Sequence, residues 1–91
     1  MASYLHGTAT VSTARSVLVT TGSPGGVLVQ NNGAGAVFLG GSTVTADATA
    51  TGGISVAAGA SVTVPTVGGG KADLYAVVAS GTAAVAWLSP A

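Results

Sequence analysis

Few residues in this 91-residue chain could carry chemistry. His6, Asp47 and Asp73 are its only conventional metal ligands or proton-transfer groups, and Arg15 and Lys71 are its only cations. The three lie far apart in sequence, so a metal site or a Ser-His-Asp arrangement would have to be assembled wholly by the fold. Such sites also need a second shell of polar groups to orient the reacting ones, and this chain has few polar side chains larger than Thr. The two aspartates are therefore read as turn residues whose carboxylates accept backbone N–H bonds. No catalytic residue, metal or cofactor is expected, and the chain is not read as an enzyme.

Two glycine-rich stretches invite comparison with phosphate loops. In Gly68-Gly-Gly-Lys71 the pattern requires a glycine where Pro65 stands and a Ser or Thr where Ala72 stands. Gly33-Ala-Gly35 lacks the third glycine and the strand–helix setting of a dinucleotide site. Both are read as loops, and Asn31-Asn-Gly33 as a turn. The aromatic set is Tyr4, Phe38, Tyr75 and Trp87. Trp87 reads first as a core residue, and second as an interface anchor or a sugar platform.

Composition narrows the classes further. Charged residues make up 4% of the chain, against roughly a quarter in ordinary domains. Two cations cannot neutralise a run of phosphates, which excludes nucleic acid as a partner, and an anionic membrane surface is disfavoured for the same reason. A surface of Ser, Thr, Ala and Gly with almost no charge has little electrostatic protection against association. Because turn signals are ordered throughout, coverage by specific partners is expected instead of aggregation. With no cysteine there is no disulfide or thiolate site. The start Met-Ala-Ser-Tyr-Leu-His lacks the basic and apolar segments of a secretion signal, and no apolar run approaches the length of a membrane span. Synthesis and assembly in the cytoplasm are expected.

The elements that would hold these residues read as short strands. Residues 1–7 are expected to form an N-terminal arm, with Tyr4 and Leu5 its sizeable apolar groups, followed by a single β-domain over 8–91. Strands are predicted over 8–11, 15–20, 43–46, 73–79 and 83–88. Val27 to Gly40 is predicted as a central hairpin around Asn31–Gly35. Ile54–Val56 and Val62–Val64 are predicted as a second hairpin, with Ile54 and Val56 matched to Val62 and Val64. Thr21–Gly26, Asp47–Gly53 and Pro65–Gly70 read as loops. About eight short strands at spacings of roughly 8–12 residues indicate an all-β fold: a compact antiparallel β-sandwich or jelly-roll-like barrel.

The motifs Val27-Leu-Val-Gln-Asn-Asn-Gly33, Ala36-Val-Phe-Leu-Gly-Gly41 and Val44-Thr-Ala46 occur in that order. Ala57-Ala-Gly-Ala-Ser-Val62, Leu74-Tyr-Ala-Val77 and Ala79-Ser-Gly-Thr-Ala83 follow. In order and spacing they resemble a widespread group of small tailed-bacteriophage virion proteins, and residues 1–26 carry less of the likeness. The resemblance implies a capsid decoration or head-stabilisation role on the virion surface and brings no catalytic residues. The leading expectation is a decoration protein that binds the major capsid protein on the outer capsid as a homo-oligomer, a trimer by preference. Tyr4, Leu5, Arg15 and Trp87 are the expected interface residues. The alternative is a tail or fibre module that binds a host glycan through Trp87 and the Asp47–Gly53 loop.

Overall fold

The structure is a computed structural model that describes residues 4–21, 26–47, 52–65 and 72–90. Eight strands follow one another: β1 (Tyr4–Val11), β2 (Ser16–Thr21), β3 (Val27–Asn31), β4 (Val37–Gly40), β5 (Ile54–Val56), β6 (Ser61–Val64), β7 (Ala72–Val78) and β8 (Ala83–Pro90). They form two four-stranded antiparallel sheets, β1-β8-β3-β6 and β2-β7-β4-β5. The first strand pairs with the last, the second with the seventh, the third with the sixth and the fourth with the fifth. This is a long antiparallel ribbon rolled onto itself, the double-sheet jelly roll.

Alternation explains which side chains are inside. β3 runs buried–exposed–buried, with Val27, Val29 and Asn31 inward and Leu28 and Gln30 outward. The core is two facing layers of mostly β-branched residues: Val11, Val27, Val29 and Val85 from the first sheet, and Val37, Leu39, Val56, Leu74, Ala76 and Val78 from the second. Such residues fit the pleated, half-buried surface of a strand. In β2 the register against β7 shifts between Val17 and Val19, and this bulge turns two consecutive residues, Leu18 and Val19, into the core.

Both predicted hairpins are absent. β3 and β4 lie in different sheets, so Asn32–Ala36 carries the chain across the sandwich and does not fold it back in one plane. β5 and β6 are likewise split between the sheets: Val56 lies opposite Val37 of β4, and Val62 and Val64 lie opposite Val29 and Val27 of β3. The predicted strand at 43–46 is instead a turn and bend, with an isolated bridge from Thr45 to Gly52. Its central Val44 is buried beside Gly40 and Gly53, and a Cβ on Gly53 would collide with the Leu39 carbonyl. From Tyr4 onward the expected arm is the first half of β1, paired along β8 from Tyr4↔Pro90 to Gly7↔Trp87. Residues 1–3, the Pro24-Gly25 breaker, 48–51 of the polar loop and the Gly68–Lys71 stretch lie outside the described residues.

The four connections 12–15, 32–36, 57–60 and 79–82 gather at one end of the sandwich. Backbone bonds knit this end: Asn31 N–H to Ala60 O, Gly59 N–H to Asn31 O, Asn32 N–H to Ala84 O and Val78 N–H to Ser12 O. The Asn31 side chain completes it. Its amide nitrogen donates to Gly35 O and Val56 O, and its oxygen accepts from Gly33 N–H.

Candidate interaction surface

The outward face of the sheet β1-β8-β3-β6 follows from the register. One row across it is Thr8, Ala86, Gln30 and Ser61; the next is His6, Leu88, Leu28 and Thr63. Leu28 and Leu88 sit opposite each other at the centre, each 40% exposed. With Gln30, Ala86 and Trp87 they line a shallow open hollow. Among the described residues no Asp, Glu, Lys or Arg lies on this face. The charged side chains belong elsewhere: Asp73 to β7, Arg15 to the β1–β2 connection and Asp47 to the β4–β5 connection. An aliphatic centre ringed by hydroxyls, an amide and the His6 imidazole can be desolvated without stranding a carboxylate, ammonium or guanidinium.

Three of the four expected interface residues meet on the β1–β8 ladder. Tyr4, Leu5 and His6 are consecutive and all exposed, with Tyr4 at 69% and Leu5 at 54%. Tyr4 and His6 share the outward parity, whereas Leu5 has the inward parity of its ladder partner Ser89, which is buried. Leu5 shares the inward side with Ala9, which packs on the core. Trp87 lies on that side too, between Gly7 and Val29, half-buried against the core. A Cβ built on Gly7 would come within 2.8 Å of the indole, so the ring covers the glycine backbone.

Arg15 is not part of this group. It stands at the far end of β1, on the other sheet's side, and its guanidinium donates to the Val44 carbonyl at 3.4 Å. The three candidate acid–base groups are also separated. His6 is on the outer face of one sheet and Asp73 is in β7 of the other. Asp73 is not a turn residue: its carboxylate accepts the Thr20 hydroxyl at 2.7 Å across the β2–β7 pair. Asp47 sits in a bend and accepts the Thr45 hydroxyl. No cluster of three His, Cys, Asp or Glu residues occurs among the described residues, and no helix there is long and apolar enough to cross a membrane. A further apolar hollow lies at the seam of β5 and β6, lined by Leu39, Ile54, Val62, Val64 and Leu74.

The sequence alone does not single out Leu28 and Leu88. In sequence Val27 to Gly40 reads as a hairpin apolar on both faces and therefore covered on both, whereas β3 is covered on one. The signal was present in the alternation Leu28, Gln30 against Val27, Val29, with a polar residue already on the uncovered side. No protein-family model, curated protein or solved structure matches the chain.

Proposed function

We propose that this chain is a non-enzymatic capsid decoration protein of a tailed phage, an oligomer that clamps the major capsid protein lattice from outside. The observation that carries this reading is the outward face centred on Leu28 and Leu88, which is apolar, polar-rimmed and free of charge among the described residues. The phage-like order of motifs along the sequence gives the face its proposed partner. Jelly rolls serve in viral capsids and also in lectins, so the fold alone does not choose between a shell protein and a glycan binder. The position of Trp87 weighs against the second: its ring lies on the inward side over Gly7, half-buried, and offers no open platform for a sugar.

A clamp of this kind works by fit. Small side chains allow close backbone approach, and many weak, linked contacts gain from effective concentration. A contact of standard size would bury about 800 Å² on each partner. The test compares purified particles with and without this protein during heating. Decorated particles should disassemble at the higher temperature; equal temperatures would remove the proposed role.

A further inference from the structure

A β-sandwich has four sheet edges, and three of them here carry devices that discourage pairing. β5 is three residues long; β6 is four and is followed at once by Pro65; β2 is broken by the bulge at Leu18. Short edges, proline and bulges are the usual protections of an unpaired edge. β1 has none of these. It runs eight residues, Tyr-Leu-His-Gly-Thr-Ala-Thr-Val, in unbroken register with β8, without proline, bulge, lysine or any other charged side chain. Among the described residues no strand lies on its other side.

We infer that β1 is an interface strand that pairs antiparallel with β1 of a second copy of this chain, joining two sandwiches into one eight-stranded sheet. An extended strand aims the N–H and C=O of alternate residues outward, so a seven-residue overlap of the two strands would form about six to eight hydrogen bonds. A two-fold axis normal to the sheet makes the strand its own complement. With residues of like parity paired, His6, Thr8 and Thr10 of both copies stay on the outer face, and Leu5, Gly7 and Ala9 on the inner. Threonine pairs across such a seam are favourable, and like charges, which would oppose self-pairing, are absent. The two most exposed large apolar groups of the ladder, Tyr4 and Leu5, lie on this strand and gain cover from it. The pairing closes at two copies, in contrast to the trimer expected with the capsid decoration role.

The inference concerns the free chain and does not depend on capsid binding, so it is tested without particles. Sedimentation equilibrium should give twice the 8.4 kDa chain mass. Thr8→Lys with Thr10→Lys sets like charges across the seam and should raise the dimer dissociation constant by on the order of tenfold or more. Thr63→Lys, on the same face but on the β6 edge, should leave it unchanged. Because the chain has no cysteine, spin labels on Thr8→Cys and Thr63→Cys give a readout independent of the lysine variants' folding. Labels at position 8 should show dipolar broadening. Those at position 63 would sit seven strand spacings apart, roughly 34 Å, and should not. A single-chain mass at every concentration, a three-chain mass, a dimer indifferent to the β1 lysines, or no broadening at position 8 would each overturn the inference.

Discussion

The Asn31 side-chain amide donates to the Val56 carbonyl at 2.9 Å, tying the last residue of β3 in one sheet to the last residue of β5 in the other. Asn31 is fully buried and its remaining polar atoms are also paired, with Gly35 O and Gly33 N–H. Replacement by Ala would take this partner from two carbonyls and one N–H, at about 1–3 kcal/mol for each group that water cannot reach. Asn31→Ala should therefore destabilise the fold by roughly 3 kcal/mol in chemical denaturation. Asn32→Ala, one residue on and exposed, should change it by about 0.5 kcal/mol or less.

Gly7 and Trp87 form the second close relationship. A methyl group at position 7 would press on the indole at 2.8–2.9 Å, and the ring, held between Gly7 and Val29, would have to tilt outward. An aromatic ring laid over a strand glycine protects the backbone that the missing side chain leaves bare. Gly7→Ala should cost about 1–3 kcal/mol by overpacking. As Trp87 is the only tryptophan, its emission should move to longer wavelength in the variant while the strand content seen by circular dichroism stays unchanged.

The proposed capsid face separates binding from folding. Leu28 and Leu88 are part-exposed, and their substitution by Asp should lower stability by about 1 kcal/mol or less, in the range of strand propensity. Binding to undecorated particles should fall by on the order of tenfold or more for each variant, since an uncompensated charge would be buried at the contact. Wild-type binding by Leu28→Asp together with Leu88→Asp would place the contact elsewhere on the protein.

Val44 tests the β4–β5 connection. It is 3% exposed although it lies in a turn, packed beside Gly40 and Gly53, and its carbonyl accepts from Arg15. Val44→Ala should destabilise by about 1–2 kcal/mol through lost packing. Val17→Ala, at an exposed position on β2, should cost about half as much or less. Arg15→Ala should cost about 0.5–1 kcal/mol, the worth of one long, part-buried hydrogen bond, with no effect on particle binding.

The sequence by itself determined roughly where the eight strands lie, because period-two alternation and glycine-rich breaks are local properties. Read locally, 43–46 also passes for a strand and 4–7 for an arm, and nothing there shows that Ile54 is exposed. Val27 and Val29, Ile54 and Val56, and Val62 and Val64 are on the strands predicted for them. Partner choice came only with the tertiary structure. A backbone edge hydrogen-bonds equally well to any strand, and five small residues such as Asn32–Ala36 can fold back in a plane or cross between sheets. What decides is burial: β3 and β4 each cover half of a two-layer core, which a flat hairpin cannot enclose. The same holds for Asn31, whose type suits a turn; its inward place between two loops and two sheets exists only once the ribbon is rolled. The proposed capsid face likewise arises from residues 6, 28, 63 and 88, distant in sequence and made neighbours by strand register.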